Sequence, residues 1–231
     1  MNNLDRLETI ADHIRELFEA KSAARDAAIN QSRILIGHCA NAIRAVHRHE
    51  WDVAQARLET ARQAADEMRA QVESFPDLYH SGYTQDALKE YAEACITYAL
   101  AHGEDLPTPE SLHVEEATYL NGLAEAASEL RRQILDIIRK GHSAEAERLL
   151  VEMDEIYGVL IAFDFHDAIT GGLRRRLDQL RGVLERTRGD VTTSLRQQQL
   201  RQALLDLEQR IGLAAGPDAP LEPDLDEDED G

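Results

Sequence analysis

Apolar residues recur every three to four positions along most of the chain, with polar residues between them, and only a few breaks carrying glycine or proline interrupt the rhythm. That spacing predicts helices throughout. From Leu4 to about His49 the apolar positions Leu7, Ile10, Ile14 and Leu17 lead on to Ile34, Leu35, Ala42 and Ile43, as one very long helix or two. A second helix runs from Trp51 to about Phe75. The segment from Asp77 to Tyr83, flanked by Pro76 and holding Gly82, reads as a turn. Thr84 to about His102 is helical, and Gly103 to Pro109 is a loop. Glu110 to Lys140 is the next helix, ending at Gly141 in the expected cap position. Ser143 opens a helix to about Phe163. The pair Gly171-Gly172 precedes one to about Arg188, and Asp190 opens a last helix that ends near Ile211. Neither strand alternation nor a repeat of fixed period is present. The expectation is an all-α, single-domain bundle of about seven helices over residues 1–213. Residues 214–231, with Gly216, Pro217, Pro220 and Pro223 ahead of an acid run, read as a disordered tail.

Composition agrees with helices and narrows the function. Of 231 residues only 13 are Gly and 6 are Pro, and aromatics are 5%, which suits helix packing through Leu, Ile and Ala. No apolar run approaches membrane-spanning length and no leader pattern is present, so a cytoplasmic location without membrane attachment is expected. Cys39 and Cys95 form no CxxC pair and read as small core residues in a reducing compartment. The net charge of −19 disfavours casual phosphate binding. Eight of the acids lie between Asp218 and Gly231, however, and Lys21, Lys89 and Lys140 are the only lysines. An acid-rich, lysine-poor chain fits a cytoplasm at very high salt, where a Debye length of about 3 Å at 1 M would leave net charge little reach. A GC-rich genome favouring Arg codons explains the same bias.

Two segments place carboxylates one helical turn apart: Leu88-Lys89-Glu90-Tyr91-Ala92-Glu93-Ala94 and Tyr119-Leu120-Asn121-Gly122-Leu123-Ala124-Glu125-Ala126-Ala127-Ser128-Glu129-Leu130. On the helical wheel the apolar stripe of the first is Leu88, Tyr91, Ala92, Cys95, Ile96 and Ala99, with Glu90 and Glu93 on the other side. The second has Leu120, Leu123, Ala127, Leu130, Ile134 and Ile137 inward, and Glu125 and Glu129 pointing away. Spacing alone therefore leaves two options, solvated helix faces or acids gathered to hold a divalent cation. Other chemistry finds no motif. The nine histidines are scattered without zinc spacing, and neither a phosphate loop nor a nucleophile elbow occurs. Tyr91 and Tyr119 are at core spacing, with base stacking as the other option.

The run Gly82-Tyr83 through Ala87-Leu88-Lys89-Glu90-Tyr91-Ala92-Glu93-Ala94 resembles the signature helix of the translin family, especially its translin-associated factor X (TRAX) branch. Tyr119-Leu120-x-Gly122-Leu123-Ala124-Glu125-x-x-x-Glu129-Leu130-Arg131-Arg132 resembles the family's next signature helix. Ile43-Arg44-Ala45-Val46-His47-Arg48, Gly172 to Asp178 and Glu185 to Asp190 extend the likeness, which covers roughly Leu4 to Leu205. The resemblance implies a seven-helix bundle assembling into a hollow barrel-like homo-oligomer, usually an octamer, that binds single-stranded RNA or DNA inside. In TRAX-like members it implies Mg²⁺-dependent endoribonuclease activity. The catalytic and metal-binding positions carried over are Glu90, Glu93 and Glu125, with Glu129 as a supporting metal-site neighbour. Glu93 would orient or deprotonate water. Arg33, Arg44, His47 and Arg48 are candidate phosphate contacts, the alternative for each being an i,i+4 surface pair. Arg174-Arg175-Arg176 reads as an interface or a solvated face. Two departures stand out: TRAX-type members carry Asp where this chain has Glu125, and Ser128 stands where Gly is usual. Plain translin subunits bind nucleic acid without the full acid set. The alternative function is a helical scaffold or regulatory subunit that binds no nucleic acid.

Overall fold

A computed structural model describes residues 3–141 and 143–210. The segment 214–231 and the helix end at Ile211 lie outside the described residues. Within them the chain is all-α: six long helices, α1 (Asn3–His47), α2 (Trp51–Val72), α4 (Gly82–His102), α6 (Glu116–Ile138), α7 (Ala144–Leu160) and α9 (Leu173–Arg210), alternate with three single turns, α3 (Pro76–Tyr79), α5 (Pro109–Leu112) and α8 (Asp167–Thr170). No helix among them is long and apolar enough to cross a membrane.

The first helix is continuous over 45 residues, roughly 68 Å at the α-helical rise. Its buried positions begin only at Ala28 and continue through Gln31, Ser32, Leu35, Cys39, Ala42, Ala45 and Val46, a 3.6-residue stripe that packs on α2 and α4. The partner face of α2 is built mainly from alanine, Ala54, Ala61, Ala64 and Ala65 with Met68 and Val72, so the two backbones lie close. At the turn, the Ser81 and Thr84 hydroxyls both donate to the Leu78 carbonyl, at 2.6 and 2.8 Å. Chain reversal after α4 uses Gly103, whose φ of 79° is the left-handed conformation glycine adopts without a Cβ clash.

Helix α4 occupies the centre, against α1, α2 and α6. Neighbours on several sides bury positions all round it, including Thr84, Lys89, Glu93 and Thr97. The expected polar face for Glu93 is therefore corrected. Its carboxylate is buried, because α6 packs on the face that the wheel assigned to water. Helix α6 in turn packs against α4, α7 and α9, and Leu130, Ile134, Leu149, Met153, Leu180 and Leu184 are almost wholly buried between them.

Several boundaries differ from the sequence expectation; α2 ends at Val72 rather than about Phe75, and the expected turn holds the helical Pro76–Tyr79 with α4 starting already at Gly82. The stretch from Glu110 is not one helix: His113 takes a left-handed φ of 52° and splits it into α5 and α6. Thr108 caps the short turn by accepting from the Ser111 backbone N–H. Helix α7 stops at Leu160 rather than Phe163, and the Ser143 side chain makes no capping hydrogen bond. Finally, Gly189 and Asp190 do not divide the last helix; α9 runs unbroken for 38 residues. A single helical glycine is disfavoured by only about 1 kcal/mol relative to alanine. Buried Thr187 and Val191, and an ion pair from Arg131 to Asp190 at 2.8 Å, hold both sides of it.

Candidate functional site

The two signature segments meet where α4 crosses α6, and a glycine sets how closely. A Cβ built on Gly122 would lie 3.0 Å from the Ala92 Cβ, 3.0 Å from the Lys89 carbonyl oxygen and 3.1 Å from the Glu93 nitrogen. Even a methyl there would require Ala92 and the α4 backbone to give by a few tenths of an ångström. Glu93 follows Ala92 directly, and Glu125 lies one turn beyond Gly122. The close approach thus brings the acids of the two helices together. One carboxylate oxygen from each of Glu90, Glu93 and Glu125 lies within 4.8 Å of the others.

The acids differ in what they face. Lys89, itself only 7% exposed, donates to Glu90 Oε1 at 2.8 Å and to Glu125 Oε2. Arg176, reaching over from α9, donates through Nε to Glu125 Oε1 at 2.9 Å. Both oxygens of Glu125 are thereby engaged, one by α4 and the other by α9. Glu93 makes no such ion pair among the described residues. Burial, followed by the negative charges of Glu90 and Glu125, pushes its carboxyl up to about 9, with Lys89 opposing and Glu129 adding to the rise. Burial works to lower the Lys89 ammonium, but its hydrogen bonds to Glu125 and Glu90 more than offset that and hold it above its ordinary value. One turn past Glu125, Glu129 accepts from or donates to His47 Nε2 across 2.7 Å, according to protonation and tautomer. His47 ends α1 and its side chain is 5% exposed.

Beside this centre, Cys39 is fully buried, and Cys95 packs against the core. Burial, then the neighbouring Cys95 and the acids Glu90 and Glu93, push the Cys39 thiol well up, so it stays protonated. Tyr91 is buried in the core and Tyr119 packs against it.

The structure thus gathers Glu90, Glu93 and Glu125, with Glu129 and His47 at one edge. Arg33 and Arg44 are exposed on α1, and Arg48 is exposed in the turn that follows it. Positions 33 and 44 share a helical face, but Arg44 donates to Asn41 at 2.8 Å, and Arg48 grips Glu50 with two hydrogen bonds of 2.9 and 2.7 Å. In the Arg174-Arg175-Arg176 run, the first two are exposed and the third turns in to Glu125. Sequence reasoning missed Lys89 and Arg176 as members of the site. A signal for Lys89 existed, since it lies beside Leu88 and one turn before Glu93, where a lone charge needs buried partners. Nothing local distinguishes Arg176 from Arg174 and Arg175.

No protein-family model matches the chain. It is 30% identical over 196 residues to an uncharacterized protein of Methanocaldococcus jannaschii, covering 84% of this chain and 86% of the relative. Among solved structures it is similar to AfC3PO, at 31% identity and a TM-score of 0.71, over 82% of this chain and 96% of that one. AfC3PO in a complex with duplex RNA matches at 31% identity and a TM-score of 0.67, over the same shares of the two chains. Apo-NeC3PO shares the fold with a TM-score of 0.73 at 20% identity, over 80% of this chain and 96% of that one. C3PO is the complex of translin with TRAX. With its signature helices joined at one crossing and AfC3PO matched along nearly its whole length, the chain belongs to the translin family.

Proposed function

We propose that this protein is an oligomeric RNA-binding protein of the TRAX type that cleaves RNA endonucleolytically with Mg²⁺ at Glu90, Glu93 and Glu125. The observation that carries the reading is the convergence of three carboxylates from two helices within 4.8 Å. RNA as the ligand is supported by the likeness to AfC3PO, which has been solved with duplex RNA. Single-stranded RNA comes first among the substrates proposed, with single-stranded DNA as a further ligand.

The residues fit a hard divalent cation. The donor set is all oxygen, as Mg²⁺ prefers, and two oxygens sharing one Mg²⁺ lie at most about 4.2 Å apart, a contraction that glutamate torsions accommodate. Glu93 is the acid most in need of a cation, since burial and its acidic neighbours disfavour its charge. A cation held by the three acids supplies the Lewis acidity that turns water into a nucleophile and offsets charge on a phosphate. Glu93 then stands as the carboxylate that orients the water and takes its proton. Glu125, paired with Lys89 and with Arg176, ties α4, α6 and α9 together around the centre. Glu129, steadied by His47, is the supporting acid. Arg33 and Arg44 on the exposed face of α1 are the proposed phosphate contacts, with Arg48 available once it leaves Glu50.

Assembly is proposed as a homo-oligomer of eight copies. Self-association, though not the number eight, is supported by apolar side chains left exposed on the first part of α1, among them Leu7 at 59%, Leu17 at 52% and Phe18 at 68%.

The test is cleavage of labelled single-stranded RNA, duplex RNA and single-stranded DNA, with and without Mg²⁺, at low and at molar salt, for wild type and Glu93→Gln. The expected result is Mg²⁺-dependent cleavage reduced at least about 100-fold by the substitution, the scale of a lost general base. Cleavage that survives Glu93→Gln overturns the assignment, and binding without cleavage leaves a translin-like binding protein.

A further inference from the structure

The carboxylate centre already holds a cation of its own. Lys89 Nζ bridges Glu90 Oε1, at 2.8 Å, and Glu125 Oε2. Those are two of the three acids whose oxygens converge. The bridge joins α4 to α6, the two helices that supply the trio. The ammonium therefore engages an oxygen on two of the three carboxylates that a shared divalent cation would draw on. Arg176 differs in kind: it binds the other oxygen of Glu125 from α9, and no hydrogen bond joins it to Glu90 or Glu93 among the described residues. Removing Arg176 would release an oxygen on one acid, whereas removing the Lys89 charge would release an oxygen on each of two acids at once.

We propose that Lys89 is a tethered competitor for the divalent cation, so that metal binding requires its ammonium to withdraw from Glu90 and Glu125. The inference rests on the metal-site reading above. A lysine covalently fixed beside the acids has a high effective concentration, and it is compact enough to fill a cation's place where a planar guanidinium would not. The consequence is a threshold: the centre stays intact without metal, and it loads only when divalent cation is abundant enough to displace the lysine.

The experiment measures binding rather than turnover. Full-length wild type, Lys89→Met, Lys89→Gln and Arg176→Gln are titrated with Mg²⁺ and with Mn²⁺ by calorimetry, and each is melted in EDTA and across a Mg²⁺ series. Methionine keeps the length of the lysine without its charge. The expected result is tighter binding by at least tenfold in both Lys89 variants, a smaller change in Arg176→Gln, and a larger rise in Tm with Mg²⁺ for the Lys89 variants than for wild type. A Lys89 variant that folds only in Mg²⁺ also supports the proposal, since the ion then replaces the ammonium.

Wild type supplies a second readout that needs no variant. Acetylation by an amine-reactive ester, read by mass spectrometry, should label Lys89 several-fold faster with saturating Mg²⁺ than in EDTA. The other lysines, Lys21 and Lys140, serve as references. Unchanged cation affinity in the Lys89 variants with unchanged Lys89 labelling, while Glu93→Gln abolishes binding, overturns this proposal and leaves the metal site standing. Absence of cation binding in wild type and both Lys89 variants overturns the metal-site reading and this proposal with it.

Discussion

Glu93 and Glu125 carry the same functional group and sit on touching helices, yet their surroundings give them different behaviour. Glu125 has a cation on each oxygen, and its arm, one methylene longer than aspartate, lets it hold Lys89 on α4 and Arg176 on α9 together. Glu93 is buried beside like charge, and its carboxyl rises from the ordinary 4.5 to about 9. The folded state then keeps a proton that the unfolded chain releases, so stability is full below the unfolded value and falls as pH rises from 4.5 toward 9. Thermal melts in EDTA should show the Tm of wild type falling by several degrees between about pH 5 and pH 9. Glu93→Gln, which carries no titrating proton, should flatten that slope. An equal slope in the two proteins would mean that Glu93 titrates as an ordinary surface acid.

At the scale of elements, two helical glycines have opposite meanings. Gly122 marks the α4–α6 crossing, where a methyl would meet Ala92 and the backbone of Lys89 and Glu93 at 3.0–3.1 Å. Gly122→Ala should destabilise by roughly 1–3 kcal/mol through overpacking, and should weaken Mg²⁺ binding by parting Glu93 from Glu125. A methyl on Gly189 would meet nothing within 4 Å, so Gly189→Ala should stabilise α9 by up to about 1 kcal/mol. Urea unfolding of the two variants checks both signs. The helices themselves were legible from 3.6-residue periodicity, including the single long first helix as one of two options. The break at His113 was not, because apolar spacing carries no mark of a residue that takes a left-handed φ. The unbroken path through Gly189-Asp190 was hidden for a related reason: the Arg131–Asp190 pair that supports it comes from a distant segment.

Over the full length of the protein, the apolar pattern continues beyond what a single copy buries. Leu7, Ile10, Ile14 and Leu17 are 44–59% exposed on α1 before its packing begins, and Leu200, Leu204 and Leu207 are 51–62% exposed on the last turns of α9. Stripes at helical spacing on projecting helices suit burial against further copies. Replacing Leu7 and Ile14 together with lysine should shift the sedimentation mass toward smaller species while helicity by circular dichroism is retained. An unchanged mass would place the contacts of the proposed oligomer elsewhere.

That the chain is helical, where most of the helices lie, and which acids to watch were all readable from the order of residues. Those properties follow from local periodicity and from two motifs contiguous in the chain. What the acids face depended instead on how the helices pack. Burial on every side of α4 turned a wheel-exposed Glu93 into a core carboxyl whose charge is disfavoured. The contact at Gly122 set how near Glu125 comes, and packing of α9 chose Arg176 over its two neighbours. Lys89 shows the difference most plainly. Its charge is written in the sequence, but its place among the acids depends on the distance between two helices, and no local pattern encodes that distance.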